Sequence, residues 1–317
     1  MPSRTVSRPG RRRAGAARRS KLAGTQVDLF LESLINAPLK DDRALMEFPF
    51  FSLQKQPRME PLVYDDGKVK IEVRPGPKGI ATIWDKDLLI YVASLINERL
   101  ERGMAVERTV TLSAHDYLKL TGRNTSKHDY QRLLEALFRL RSTSIVTTLE
   151  AGGEREWTTF GWIDNARVLE REIRTGSRAG EKIMAAVEVT LNQWMFRAIV
   201  KDRRVLTINP AYFQLSMGLE RRLYELARKH LGQQERWAIA LPRLAEKCGS
   251  LRELKGFKHD LSKAIERDAI PDYRARLAVP EEALPRERLE RTMVEFTARP
   301  APAAPDQGAA LPRGGEA

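Results

Sequence analysis

The sequence predicts an α+β fold: two tandem winged helix-turn-helix domains, flanked by a disordered basic N-terminal tail and a disordered Ala/Pro-rich C-terminal tail. Three observations carry that expectation. Residues 105–164 run in order as a strand, a short helix, a tight turn, a second helix and a β-hairpin. A similar order returns over residues 236–296. An offset of 127 residues then sets Gly249 on Gly122, Leu261 on Leu134 and Ile265 on Phe138, so turn glycine and apolar stripe repeat in register, as internal duplication would leave them.

The elements follow from local patterning. Lys68 to Val73 alternates as a strand, and a helix from Asp85 to Leu100 carries Leu89, Val92, Ile96 and Leu100 on one side. Val106 to Leu112 is a strand. Ser113, with Asp116 three residues on, caps a helix that ends at Gly122, where a left-handed turn costs least. The helix from Asn124 buries Tyr130, Leu133, Leu134, Leu137 and Phe138, and its other face carries Arg123, Lys127, His128, Arg132 and Arg139. Ser144 to Leu149 and Glu154 to Ile163 form the first wing around Ala151-Gly152-Gly153. A strand Val187 to Leu191, a helix Trp194 to Ile199 and a strand Val205 to Ile208 read as a connector that Asn209-Pro210 stops. In the second half a helix spans Met217 to Leu231, a strand Arg236 to Leu241, and a helix opens with Pro242 and ends at Cys248-Gly249. A basic amphipathic helix covers Leu254 to Asp268, and Ile270 to Leu277 with Leu289 to Phe296 makes the second wing. The expected divisions are a disordered arm (1–24), a short segment (25–43), a first domain with its connector (44–210), a second domain (211–297) and a tail (298–317).

In such a fold the second helix of each turn enters the major groove, whose edge pattern distinguishes all four base pairs. Double-stranded DNA is therefore the expected partner. The candidate DNA-binding residues are Arg123, Asn124, Ser126, Lys127, Tyr130 and Arg132 in the first half. In the second they are Arg252, Lys255, Lys258, His259, Ser262, Lys263 and Arg267. Arg pairs with guanine and Asn with adenine, whereas Lys and Ser more often hold phosphates, so each set mixes base reading with positioning.

Charge and composition bound the rest. Of the formal net charge of +13, the arm supplies eight Lys and Arg with no acid, which leaves +5 to the remainder. Such an arm strengthens binding to any polyanion through counterion release. With Cys248 the only cysteine there is no disulfide framework or thiolate cluster, and no apolar run reaches the length of a membrane span, so a cytoplasmic protein without membrane contact is expected. His115, His128, His230 and His259 never fall as a close pair, and Gly176, Gly180 and Lys182 lack the spacing of a P-loop. Neither cofactor nor metal nor catalysis is expected.

Gln26-Val27-Asp28-Leu29-Phe30 resembles the pentapeptide with which bacterial polymerases and their accessory proteins bind the sliding clamp, departing by Val for Leu at the second position. Leu29 and Phe30 would anchor in an apolar pocket while Gln26 orients the peptide. The alternative is the first turn of an amphipathic helix through Leu31, Leu34 and Ile35 that packs on the body.

Phe48-Pro49-Phe50-Phe51-Ser52-Leu53 and Gly79-Ile80-Ala81-Thr82-Ile83-Trp84-Asp85-Lys86-Asp87-Leu88-Leu89-Ile90-Tyr91 resemble the start of the plasmid replication initiator protein A family. The resemblance runs on through Tyr130-Gln131-Arg132-Leu133-Leu134 and Phe160-Gly161-Trp162, covering about residues 44–275. It implies a protein that binds direct repeats (iterons) at a plasmid origin, opens the neighbouring duplex and brings in host replication proteins, among them the clamp, the initiator and the helicase. It also implies exchange between a repeat-binding monomer and a homodimer that represses its own promoter. The second half departs from the family in its short turn helix and long wing loop. A winged-helix repressor without initiator activity is the main rival, and an origin-nicking enzyme a second.

Overall fold

The computed structural model describes residues 38–149, 158–172, 180, 182–279, 282, 284 and 287–300. The clamp-like segment 26–30, the N-terminal arm, residues 301–317 of the expected C-terminal tail and the tip of the expected first wing lie outside them, whereas Ala298, expected in the tail, ends the last strand. The architecture is mixed α/β, with eight α-helices and four small sheets among the described residues.

The chain opens with β1 (Lys40–Asp42) and α1 (Arg43–Glu47), where the Asp42 carboxylate caps the helix by accepting from the Ala44 and Leu45 amides. β2 (Leu62–Asp65) and β3 (Lys70–Arg74) form an antiparallel pair, followed by the long α2 (Lys86–Glu101), largely buried along its length. Next come β4 (Thr109–Ser113), α3 (Ala114–Leu120) and α4 (Lys127–Ser142). Ser113 caps α3 and Ser126 caps α4, and Gly122 between them has φ +68°. β5 (Ser144–Thr147), β6 (Thr158–Phe160), β7 (Ile163–Glu172) and β8 (Lys182–Leu191) follow, then α5 (Gln193–Val200) and β9 (Val205–Thr207). A 3-10 turn over Pro210–Gln214 leads into α6 (Gly218–Leu231). The chain ends in β10 (Arg236–Ala240), α7 (Leu241–Lys247), α8 (Leu254–Glu266), β11 (Tyr273–Ala278) and β12 (Met293–Ala298).

One expectation is overturned by strand pairing. The hairpin of residues 144–163 exists as β5 and β6, but it joins a sheet of order β2-β3-β5-β6 and does not touch β4. β4 pairs instead with β8, which pairs with β7, so the stretch read as connector supplies the hairpin beside the first helix-turn-helix. The apolar faces decide it. Ile145 sits across from Val73 in the one sheet, whereas Val110 and Leu112 of β4 find Val189 and Val187, all buried. In the second half, β10, β12 and β11 pair as expected, β10 starting at Arg236 as predicted and β11 and β12 a few residues later than the sequence suggests.

The 127-residue offset governs the element boundaries: β4, α3 and the first residue of α4 begin 127 residues before β10, α7 and α8. Gly249 matches Gly122 in conformation, with φ +61°. The buried stripe, however, slips by one. α4 buries Leu133, Ala136, Leu137 and Leu140 and leaves Phe138 61% exposed, while α8 buries Phe257, Leu261 and Ala264. Two apolar cores result, one under α2–α5 and one under α6–α8, and the second also takes Leu39, Met46 and Ile90 from the first half.

Candidate nucleic-acid interface

The first helix-turn-helix is built by its caps. The Ser126 hydroxyl accepts from the Asp129 amide and is hydrogen-bonded to the Asp129 carboxylate, so this predicted contact residue is already occupied in starting α4. Arg123, predicted to face DNA, turns inward. It donates to the Trp84 carbonyl at 2.8 Å and to Asp87 at 2.9 Å, with its side chain 20% exposed. Tyr130 is half-buried against the first core. Asn124, Lys127 and Arg132 remain on the outer surface, with Arg132 loosely beside Asp129 at 3.6 Å.

On α8 the predicted set is brought together more fully. Lys255, His259 and Lys263 are exposed and Lys258 and Ser262 half-buried, on the side opposite Phe257, Leu261 and Ala264. Lys255, Lys258 and Lys263 make no ion pair with a described residue. Two members of the set are engaged. Arg252 lies along Gly256, where a Cβ would come within 3.0 Å of its Nε, and pairs with Asp260 at 2.7 Å. Arg267 donates to the buried Glu220 and to Ser216, pinning the end of α8 to the start of α6.

Sequence reasoning missed the cations of the β7–β8 hairpin. Arg167 and Arg171 alternate along β7, Arg171 exposed and Arg167 63% exposed and loosely paired with Glu188 at 3.8 Å. The strand's alternation, Ile-Asp-Asn-Ala-Arg-Val-Leu-Glu-Arg-Glu, was the available signal. In the second half Arg274 and Arg276 project similarly from β11, and Arg276 is held by Glu295 across the strand pair at 2.6 Å.

Two recesses flank the turns. One, of about 380 Å³, is lined by Gly249, Leu251 and Arg252 of the second turn, Met217 and Gly218 at the start of α6, and Trp84, Lys55 and Arg58. The other, of about 490 Å³, is lined by Gly122, Arg123 and Asn124 of the first turn, Arg132 of α4, and again Trp84 and Lys55. Their acids are engaged: Asp260 by Arg252, Asp85 by Arg139, Asp129 by Ser126 and Glu135 by Lys78.

Among the described residues no cluster of three His, Cys, Asp or Glu could hold a metal ion, and no helix is long and apolar enough to cross a membrane. Burial pushes the Cys248 thiol up to about 12, which leaves the nucleophilic thiolate essentially unpopulated at neutral pH.

The family model for replication initiator protein A matches residues 40–275. A protein of Wigglesworthia glossinidia brevipalpis called "Putative replication protein" is 34% identical over 233 residues, spanning 73% of this chain and 82% of that one. Crystal structures of domains 2 and 3 of RctB align with TM-scores of 0.57 and 0.51 at 14% identity. They cover 80% and 79% of this chain, and 96% and 95% of theirs, a likeness of fold.

Proposed function

This chain belongs to the replication initiator protein A family, and on that premise we propose that it binds direct repeats at a plasmid origin through two winged helix-turn-helix units. The observation that carries the reading is the recurrence, 127 residues apart, of a strand, a helix, a glycine turn and a helix, each backed by a hairpin added to the strand in the order first-third-second. Each unit offers α4 or α8 to a major groove and a hairpin to the neighbouring backbone. The lysines of α8, without an ion pair among the described residues, make it the stronger phosphate-binding face, and Asn124 in the first turn and Arg132 on α4 are the base-reading candidates.

Initiation then proceeds without covalent chemistry. Several protomers on phased repeats bend the DNA and destabilise an adjacent A·T-rich stretch, since bending energy depends on sequence. Host replication proteins are recruited, the sliding clamp through Gln26 to Phe30, and a homodimer represses the chain's own promoter. No metal or organic cofactor takes part.

The deciding experiment is a footprint of the purified protein on DNA flanking its own gene. Protection of several same-strand repeats at whole-turn spacing is expected. Protection of a single palindrome over a promoter would make the chain a repressor, and cleavage of supercoiled origin DNA with Mg²⁺ would overturn the non-enzymatic reading. Lys255→Ala with Lys263→Ala is expected to flatten the dependence of log affinity on log salt by about two, one per phosphate contact. An unchanged slope would remove α8 from the interface.

A further inference from the structure

Between the two turns runs a loop that the candidate sets do not include. Residues 54–57 are exposed, yet both ends of the loop are bolted down. At one end the Ser52 amide donates to the Ala81 carbonyl at 3.0 Å, and the Ser52 carbonyl accepts from the Ile83 amide at 2.9 Å. At the other, Arg58, only 8% exposed, donates to the carbonyls of Gly249, Glu60 and Pro61, while its own carbonyl accepts from Ile80. Gly218 receives the Leu53 carbonyl so closely that a Cβ would lie 2.2 Å from its oxygen.

These anchors join the loop to both units. Arg58 reaches Gly249, the turn glycine of the second unit. Trp84, two residues beyond the strand-like bridge at Thr82, accepts through its carbonyl from Arg123, next to the turn glycine of the first. Lys55 and Trp84 consequently line both recesses, and the Lys55 ammonium stands 5.4 Å from the Trp84 ring centroid. The acids of both recesses are engaged elsewhere, and Lys55 makes no ion pair with a described residue. A cation that lines both recesses, flanked by the amides of Gln54 and Gln56, suits a ligand that must pass from one unit to the other.

Resting on the function proposed above, we propose that this loop is a third DNA contact. Lys55 binds a backbone phosphate, with Gln54 and Gln56 donating beside it, where the duplex passes between the two helix-turn-helix units. A phosphate contact of this kind positions the two units on one repeat and carries no sequence preference of its own. It also fixes the register between the two segments that α4 and α8 read.

The test uses the full chain with Lys55→Ala, Lys55→Glu and Lys55→Arg, fluorescence anisotropy on repeat DNA and on a scrambled duplex of equal length at several salt concentrations, and hydroxyl-radical footprinting. Loss of one phosphate contact lowers the slope of log affinity against log salt by about one. Lys55→Ala is expected to do so and to weaken repeat and scrambled DNA by similar factors. Lys55→Glu should lose more, Lys55→Arg should retain the wild-type slope, and the alanine footprint should open between the two protected segments. Thermal midpoints should stay put, because the side chain is exposed and makes no ion pair among the described residues. Wild-type slope, affinity and footprint in both Lys55→Ala and Lys55→Glu would overturn the contact and leave the proposed function standing. A wild-type chain with no preference for repeat over scrambled DNA would overturn the two together.

Discussion

His230, near the end of α6, stacks face to face on Trp237, with ring centroids 4.6 Å apart and planes 13° from parallel, and its Nε2 is buried with no hydrogen-bond partner. Burial pushes its pKa down from 6.5 to about 4; Lys247, Lys229 and Arg222 reinforce the shift and the Glu47 carboxylate opposes it. The unfolded chain therefore takes up a proton near pH 6.5 while the folded chain refuses it until about pH 4, so this residue's contribution to stability is lost as pH falls across that window. Asp41 works the other way. Its carboxyl, pushed up to about 7 by burial despite Lys86, holds a proton in the folded state at pH values where the unfolded chain has lost it. The informative quantity is thus the difference between wild type and His230→Phe, which keeps the stack and removes the titration. Urea unfolding at pH 7.5 and pH 5 is expected to show wild type losing stability relative to His230→Phe on acidification, by on the order of 1 kcal/mol after allowance for the ring's partial exposure. A pH-independent difference would mean that the imidazole titrates normally. The indole that covers His230 comes from β10, and that pairing cannot be read from spacing along α6.

The caps and turn glycines of the helix-turn-helix units were legible because their physics is local. Ser113 and Gly122 need only their neighbours in sequence to act. Ser126 was instead read as a DNA contact, and its capping geometry separates the two roles experimentally. Ser126→Ala is expected to cost about 1 kcal/mol of stability in urea unfolding and leave the salt slope of DNA binding unchanged. Ser126→Thr should keep the cap, the hydrogen bond to Asp129 and the stability, and leave DNA binding unchanged. Loss of binding in Ser126→Ala at full stability would return the hydroxyl to the DNA face. The hairpin after α4 was not legible, since two candidate hairpins follow that helix and local pattern scores both. Which one joins β4 depends on the match between Val110, Leu112 and the buried valines of β8, a choice made between elements about 75 residues apart. The same dependence on tertiary packing rolls α4 by one position, leaving Phe138 in solvent beneath the Lys78 ammonium.

At the scale of the molecule, three consecutive charged residues open α2, and the second and third of them tie the halves together. Asp85 takes Arg139 of α4 at 2.7 and 2.8 Å. Lys86, wholly buried, sits 2.6 Å from Asp41 and 2.8 Å from Glu225 of α6. Asp87 binds Arg221 of α6 at 2.5 Å and Arg123 of the first turn at 2.9 Å. Arg222 completes the junction by donating to the carbonyls of Leu45, Met46, Glu47 and Lys247 and to Glu225. Desolvating so many charges favours folding little in net terms, but removing one partner leaves the other buried and uncompensated, at about 3–5 kcal/mol. Because Arg221 also donates to the carbonyls of Phe213 and Leu215, Arg221→Met is expected to fall in that range or above. The two apolar cores share few residues beyond Leu39, Met46 and Ile90, so the junction is expected to couple their unfolding. Scanning calorimetry should therefore show one transition for the wild type and two for Arg221→Met, the lower belonging to the half built on α6. Repeat binding should weaken in parallel, since the spacing between α4 and α8 is set across this junction. A variant that still unfolds in one transition at the wild-type midpoint would place the coupling in the shared apolar contacts of Leu39, Met46 and Ile90 instead.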